Sequence, residues 1–393
     1  MPLLSAIGNI PPELHWHILD FLVGDTKTLW ACSLTCKLWT DQAQRNLYKV
    51  VTLSGNNLDA FCAAMKLHEQ LADHIQELTL VRFGRIPDRL PPSLYPTRIR
   101  LLRLVEMPAW EPWLLSLLSM NNQTIQQLSL RGCDVRHSAE FLALFAALPH
   151  LKDVDIAHTR VFNRAPVLAP GTAAVQNVWS LSLVGVEHQP MLPNAVLSIV
   201  LSCPEAYTNL AILRIRIEYG HVPLFDNFLK GVGPNLLELD LGLGYVTIRQ
   251  SESSSSTFRC AGRLTVVLGG NLPLSLEHCP RLVLLTLKVK ILARYSQIFH
   301  AFPCWVSSLL ATAGGEKLKR IKLVLSAFEA AEKGWGAIDM RPVGRVLEEA
   351  RFKSMTRVIV QISRNVKAEL FATFVRVQLA GLDARGILHV KHR

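Results

Sequence analysis

One pattern of hydrophobic and polar positions recurs along most of the chain. It is a hexamer with Leu, Ile, Val or Met at position 1 and Leu, Ile or Val at positions 4 and 6. Its ten copies are IQELTL (75–80), IRLLRL (99–104), IQQLSL (125–130), LKDVDI (151–156), VWSLSL (178–183), LAILRI (210–215), LLELDL (236–241), LVLLTL (282–287), LKRIKL (318–323) and MTRVIV (355–360). The pattern predicts short parallel strands that stack side by side, with positions 1, 4 and 6 in the core.

The intervals between the hexamers carry helical patterns. The first five hexamers begin 24 to 27 residues apart, within the range of leucine-rich repeats, and the later, longer intervals require insertions. Helices are predicted at WEPWLLSLLSM (110–120), SAEFLALFAAL (138–148), NAVLSIVLSC (194–203) and FDNFLKGV (225–232). We therefore expect an α/β fold: an irregular leucine-rich-repeat solenoid over residues 54–393, with a curved parallel sheet and helices on its convex side.

The turns after the strands are expected to be irregular. Repeats of this type usually carry Asn or Cys three residues after the hexamer. This chain has Cys133 there once, and elsewhere Phe83, Thr159, Val186, Glu218 or Gly244. The longest interval holds a serine run, 253–256, which predicts a flexible Ser-rich insertion near 245–270, and its β-prone flanks favour a projecting hairpin.

The first fifty residues follow a helical period instead. Apolar residues recur at i, i+4, i+7 and i+8, the spacing of one helix face, at Leu14, Ile18, Phe21 and Leu22. Pro11 and Pro12 precede this helix, Gly24 ends it, and Asp25 or Thr26 can cap the next. A second helix, a third short segment after Trp39 and a first strand at VVTL follow.

These residues resemble the F-box motif. The strings IPPELHWHILDFL and LWACSLTCKLWTDQAQRNLYKVVTL follow its order and spacing over residues 7–53. The matching positions are Ile10, Pro11, Glu13, Leu14, Ile18, Leu19, Leu22, Leu29, Ser33, Cys36, Trp39, Leu47 and Tyr48. The sequence looks most like the F-box proteins abundant in fungi. We therefore expect a three-helix module at 7–53 ahead of the solenoid.

The resemblance implies docking onto the Skp-type adaptor of a cullin–RING ubiquitin ligase. The residues that correspond to the family's docking surface are Ile10, Pro11, Pro12, Leu14, Ile18, Leu34, Leu38 and Trp39. The alternative is a small helical cap that closes the first core layer of the solenoid. Leu34 and Leu38 favour docking because they lie off the helix side that carries Leu29 and Cys32.

Composition narrows the class of protein. Half of the residues are hydrophobic and 19% are charged, which excludes a mostly disordered chain. No apolar run approaches the ~18 residues of a membrane span, and the N-terminus lacks the basic region of a secretory signal. The sequence therefore favours a protein of the cytoplasm or nucleus, not of a membrane.

The net charge of +11 is concentrated in the last third of the chain. Residues 1–280 carry 22 Lys and Arg against 23 Asp and Glu (−1), and residues 281–393 carry 20 against 8 (+12). Strand positions beside 4 and 6 face away from the core and are available to a target protein. The basic residues proposed to bind an acidic or phosphorylated segment are Arg214, Arg216, Lys288, Arg320, Lys322 and Arg357. The alternative is a solvated face that maintains solubility.

Motifs for other activities are weak. Nucleic-acid binding is disfavoured because no aromatic residues alternate with the basic strand positions. His68 and His74 are six residues apart and diverge on a helix, and Cys32 and Cys36 lack a second metal-binding pair. No nucleophile elbow or phosphate-binding loop occurs. We expect neither enzymatic activity nor a cofactor or metal.

Two classes of function remain. The first is a substrate receptor of a Skp/cullin/F-box ubiquitin ligase. The second is a leucine-rich-repeat interaction scaffold without a ligase.

Overall fold

The structure, a computed structural model, forms two compact units, residues 1–166 and 167–393. It describes residues 11–82, 96–108, 112–163, 177–184, 197, 200–201, 204–217, 221–243, 274–292, 296–328, 338–362 and 368–392.

The first unit begins with helices and continues with strands. Its helices are α1 (Pro12–Phe21), α2 (Thr26–Thr35), α3 (Lys37–Tyr48), α4 (Leu58–Leu67), α5 (Pro112–Met120) and α6 (Ser138–Ala146), with a 3₁₀ turn at Glu69–His74. Its strands are β1 (Val50–Ser54), β2 (Glu77–Val81), β3 (Leu101–Val105), β4 (Gln127–Arg131), β5 (Asp134–His137), β6 (Asp153–Ala157) and β7 (Arg160–Asn163).

The second unit alternates strands and helices. Its strands are β8 (Ser180–Val184), β9 (Ile212–Ile217), β10 (Glu238–Leu243), β11 (Leu284–Leu292), β12 (Arg320–Phe328), β13 (Arg357–Ile362) and β14 (Leu388–His392). Its helices are α7 (Val222–Val232), α8 (Ser296–Thr312), α9 (Arg341–Glu348), α10 (Ala368–Gln378) and α11 (Ala380–Ala384). Short 3₁₀ turns lie at Pro204–Tyr207, Gly233–Asn235 and Ala350–Phe352.

Every hexamer forms a strand, and every such strand begins at hexamer position 3. In the first unit the order of the parallel strands is β1, β2, β3, β4, β6. In the second unit the parallel strands follow one another in sequence order from β8 to β14. Equivalent positions are directly paired, so that Glu77 lies beside Leu101 and Arg320 beside Arg357. The predicted α/β fold with a parallel sheet is confirmed.

The backbone repeats one hydrogen-bond arrangement at the start of each strand. The carbonyl at hexamer position 2 accepts two N–H groups from the next repeat. In the second unit, for example, the Lys319 carbonyl accepts from Thr356 (2.9 Å) and Arg357 (3.1 Å). This repeated pairing fixes the register of neighbouring strands. A shift by one residue would turn the apolar side chains of a strand away from the core.

The core is built from positions 1, 4 and 6, as predicted. In all ten hexamers these side chains are at most 5% exposed. Because burial contributes roughly 25 cal/mol per Å² of apolar surface, this continuous stack is the main stabilising element of the repeats. Helices α5 and α6 lie within the predicted segments, and α7 begins three residues before its predicted segment and ends with it. The segment 194–203 and the Ser-rich insertion lie largely or wholly outside the described residues.

In two repeats of the first unit, the residue three positions after the hexamer forms a hydrogen bond to a carbonyl of the preceding strand. Cys133 is buried, and its Sγ donates to the Leu104 carbonyl (3.3 Å), while burial raises the pKa of its thiol to about 11. Thr159 takes the same place one repeat later, and its hydroxyl donates to the Leu130 carbonyl (3.5 Å). Threonine therefore replaces the usual Asn or Cys here. Phe83, Val186, Glu218 and Gly244 lie outside the described residues.

Besides β1, three strands of the described residues have no counterpart in the hexamer series. Strands β5 and β7 follow the turns at Cys133 and Thr159 and form a separate parallel pair. Strand β14 pairs with β13, so that Leu388 and Val390 lie beside hexamer positions 4 and 6. The residue at position 1 of this last repeat is Arg385, which is why the leucine pattern did not reveal it.

Candidate functional site

The helical module starts from clear local signals. Helix α1 begins with Pro12 at its first position, where a missing N–H costs nothing. Gly24 takes a left-handed conformation (φ 105°) between α1 and α2. Of the two predicted caps, Asp25 is the one used: its carboxylate accepts from the backbone N–H (3.1 Å) and the hydroxyl (2.7 Å) of Thr28. These hydrogen bonds lower the pKa of Asp25.

The three helices share a small apolar core. It contains Leu19 of α1, Leu29 and Cys32 of α2, and Ala43 of α3, all buried. Leu22, Trp39 and Leu47 pack against this cluster and are partly buried. Five residues of this core and its surroundings are positions at which the sequence matches the motif: Leu19, Leu22, Leu29, Trp39 and Leu47.

Hydrogen bonds attach α1 to α3. Asn46, which is 9% exposed, donates through Nδ2 to the Leu19 carbonyl (3.0 Å) and to Oδ1 of Asp20 (3.1 Å). Gln42 donates to the same Asp20 oxygen (2.9 Å), and the Trp39 indole N–H donates to Nδ1 of the buried His15 (3.0 Å). The module is therefore fixed by polar contacts as well as by apolar packing.

The apolar stripe on α1 faces outward and is not the core face of the helix. Leu14, Ile18 and Phe21 are 51%, 45% and 89% exposed, while the buried side chains of α1 are His15 and Leu19. The three exposed residues follow i, i+4 and i+7 spacing and so line one side of the helix. Contiguous exposed apolar surfaces are typical of interaction sites in proteins.

Helices α2 and α3 add further exposed apolar residues. Leu34 and Leu38, predicted to lie off the core face, are 67% and 44% exposed. Trp30, one turn before Leu34, is 62% exposed. Trp16, Phe21, Val23 and Trp30 were not among the predicted docking residues, although each is exposed by more than two fifths.

The remaining predicted docking residues differ in their surroundings. Pro11 and Pro12 are exposed, and Ile10 lies outside the described residues. Trp39 is half-buried because it packs on the module core and bonds to His15. Only part of its ring is therefore available to a partner.

The end of α3 contacts the first repeat. Tyr48 packs against a buried cluster formed by Met65, Leu71 and Ala72. The chain then enters β1 at Val50. The module thus covers the first apolar layer through α3, while α1 and α2 keep their apolar residues exposed.

On the outward face of the first unit's sheet, basic and acidic side chains form ion pairs with one another. Arg131 donates to Asp155 (2.8 Å), which also accepts from Ser129 (3.2 Å). One strand further, Arg103 lies 3.3 Å from the Glu77 carboxylate. Cross-strand pairs of opposite charge stabilise a sheet.

The six basic residues predicted to bind a target lie on the outward face of the second unit, but in different settings. Arg214 and Arg216 belong to β9, and Arg214 lies directly beside Asp240 of β10. The Lys288 ammonium forms an ion pair with the same Asp240 carboxylate, at 2.5 Å. Asp240 therefore neutralises part of the positive charge on this part of the face.

The other three basic residues form a cluster. Arg320 and Lys322 are two residues apart on β12, and Arg357 lies directly beside Arg320 on β13. Within the described parts of the chain none of the three has an ion pair with a carboxylate, and the Nε of Arg357 is buried without a hydrogen-bond partner. Like charges directly opposite each other destabilise a sheet.

Two further findings concern the described residues. They contain no group of three or more His, Cys, Asp or Glu side chains placed to hold a metal ion. Nor do they include a helix that combines the length and apolarity needed to cross a membrane.

Comparisons with known proteins agree with the boundaries of the helical module. The solved structure of an internalin from Listeria monocytogenes is similar to 79% of this chain and 70% of its own, with 11% identity and a TM-score of 0.35. No curated protein matches the chain. The family model described as F-box-like matches residues 7–54, which contain α1, α2, α3 and β1.

Proposed function

We propose that this chain is the substrate-recognition subunit of a cullin–RING ubiquitin ligase. The F-box-like module binds the Skp-type adaptor, and the outward face of the repeats binds a target protein. The chain itself performs no chemistry, because other subunits transfer ubiquitin. It acts in the cytoplasm or the nucleus, where such ligases work.

One observation carries the proposal: a module that matches an F-box-like family displays its apolar residues outward. Leu14, Ile18, Phe21, Trp30 and Leu34 are each at least 45% exposed. Exposing this much apolar surface is unfavourable in water, and a protein partner would bury it. A few residues near the centre of such a surface supply most of the binding energy, and tryptophan is enriched among them.

The target side of the proposal is supported by charge. The outward face of the second unit carries Arg214, Arg216, Lys288, Arg320, Lys322 and Arg357. Guanidinium groups bind carboxylates and phosphates through paired, charge-assisted hydrogen bonds. An acidic or phosphorylated segment is therefore the ligand class that this face fits best.

Co-purification with a Skp-type adaptor tests the adaptor side. We expect the wild-type chain to retain the adaptor and the double variant Leu14→Asp, Leu34→Lys to lose it. Each truncated contact at the centre of an interface costs about 2 kcal/mol or more, which is roughly thirtyfold in affinity. Both new charges suit their helix ends, so the fold is preserved.

Leu67→Lys is the matched control. Leu67 ends α4 outside the module and is 78% exposed, so the change places the same residue at an equivalent helix end. It should leave adaptor binding intact. A wild-type chain that retains no adaptor would refute the ligase role and favour a repeat scaffold without a ligase.

A further inference from the structure

The outward face of the second unit has a row of residues with an ordered sequence of charges. Hexamer position 3 and its register partners place five side chains in line across five adjacent strands: Ile212, Glu238, Leu284, Arg320 and Arg357. The row therefore reads apolar, acidic, apolar, basic, basic. All five point away from the core because positions 4 and 6 point into it.

The basic end of this row is strengthened by a third cation. Lys322 follows Arg320 by two residues on the same strand and so projects from the same face. Arg357 lies directly beside Arg320, so the three cationic side chains occupy one face of two adjacent strands and can surround one dianion. A carboxylate satisfies fewer of these donors than a phosphomonoester, which has three acceptor oxygens.

The acidic part of the row is separate from the ion pair next to it. Glu238 has no ion pair within the described ranges, whereas Asp240, two residues later on β10, is paired with Lys288. Leu284 of β11 lies between Glu238 and Arg320. An uncompensated carboxylate is thus set apart from an uncompensated basic cluster by one apolar side chain.

The strand spacing gives the distance between the two charges. Adjacent strands lie about 4.8 Å apart, so Glu238 is about 10 Å from Arg320 and about 14 Å from Arg357 along the row. An extended segment advances about 3.3 Å per residue. The two charged sites are therefore spanned by about three to four residues of a bound segment.

We infer that this row recognises an extended segment that carries a phosphorylated residue and, about three to four residues away, a lysine or arginine. The phosphate binds Arg320, Lys322 and Arg357, the cation binds Glu238, and an apolar residue between them packs on Leu284. The inference rests on the proposed function, since it specifies the target that the repeats bind. It narrows the six predicted basic residues to three and adds two that the charge pattern did not single out.

Binding of short synthetic peptides to the full-length chain tests this inference. A set of phosphoserine peptides carries one lysine moved one residue at a time away from the phosphoserine, on either side. We expect affinity to peak with the lysine about three to four residues away on one side, about tenfold above the lysine-free peptide. The unphosphorylated peptides should bind at least tenfold more weakly.

Two variants separate the charged sites. Glu238→Gln should abolish the dependence on lysine position while phosphate-dependent binding remains. The double variant Arg320→Gln, Arg357→Gln should abolish the phosphate dependence. Lys319→Gln, which neutralises an exposed lysine at hexamer position 2, and Glu369→Gln, which neutralises an exposed acid on α10, should bind like the wild type.

The outcomes distinguish this inference from the proposed function. The inference would be overturned if phosphate-dependent binding did not vary with lysine position, or if the preferred lysine position were unchanged by Glu238→Gln. Equal affinity for inorganic phosphate and for the best peptide would also overturn it, since the segment would then contribute nothing. Adaptor retention by the wild-type chain is measured separately, so its loss refutes the ligase role alone.

Discussion

The helical module and the repeats use the same apolar residue types in opposite ways. In the repeats, the apolar side chains at hexamer positions 1, 4 and 6 are at most 5% exposed. In the module, Leu14, Ile18, Leu34 and Leu38 are 44% to 67% exposed. Burial in the repeats stabilises the chain by itself, whereas the proposed function assigns the exposed apolar residues of the module to the adaptor. Substitutions in the two regions should therefore separate stability from binding.

The largest effect on stability is expected in a repeat core. Leu128→Ala removes a side chain that is 1% exposed at hexamer position 4 of β4. It should lower the free energy of unfolding of the first unit by about 2 to 5 kcal/mol, because it leaves a cavity in a packed stack. Denaturant unfolding followed by circular dichroism measures this. Leu67→Ala, at an exposed site, should change the value by less than about 0.5 kcal/mol.

A polar contact in the module should have an intermediate effect. Asn46→Ala removes the amide that joins α3 to the Leu19 carbonyl and to Asp20. The change removes the side-chain donor to the buried Leu19 carbonyl at a cost of about 1 to 3 kcal/mol, so the thermal unfolding midpoint should fall. Gln44→Ala, on the same helix, provides the comparison. Equal midpoints for the two variants would contradict the attachment of α1 to α3.

The basic cluster should trade stability for binding. Arg320→Glu places a carboxylate directly beside Arg357 and replaces a like-charge pair with an opposite one. We expect a gain of about 0.2 to 1 kcal/mol in the free energy of unfolding, which added salt should reduce. Lys319→Glu, at the neighbouring position, should produce no such gain. A lower free energy of unfolding for Arg320→Glu would show that repulsion between Arg320 and Arg357 does not destabilise the wild-type chain.

The smallest change in stability is expected on the exposed surface of the module. Leu34→Lys should alter the free energy of unfolding by less than about 0.5 kcal/mol, because the side chain is 67% exposed in the free chain. Calorimetric scans of the wild type and the variant compare the two directly. A large loss of stability would place Leu34 in a structural role and remove its contribution to adaptor docking.

Thiol reactivity offers a contrast between buried and exposed positions within the repeats. Burial raises the pKa of Cys133 to about 11 and that of Cys279 to about 12, so both stay protonated near pH 8. The exposed Cys304 should therefore react with an alkylating reagent well before them. Mass spectrometry of partly alkylated protein gives the order, and early labelling of Cys133 would contradict the packed turn at β4.

The strands formed by the hexamers were predictable because the pattern that defines each one lies within six consecutive residues. Position, period and spacing together placed all ten strands, and each strand starts at hexamer position 3. The last strand, β14, was missed because Arg385 replaces the leucine at its first position. The role of Thr159 was also missed, since its hydroxyl acts through a carbonyl 29 residues earlier in the chain.

The candidate sites were only partly predictable. The resemblance of residues 7–53 to a known motif indicated Leu14, Ile18, Leu34 and Leu38, all of which are exposed. It gave no reason to include Phe21 or Trp30. The charge pattern indicated six basic residues but could not tell that Lys288 is paired with Asp240, 48 positions away.

The sequence by itself determined which residues form strands and which of their positions enter the core, because a repeating period fixes the side of each residue on its own element. Only the tertiary structure decided which apolar residues of α1 stay exposed and which charges on the sheet remain uncompensated. Those outcomes depend on contacts between residues far apart in the chain, and such contacts follow from the register of neighbouring strands and the packing of one helix on another.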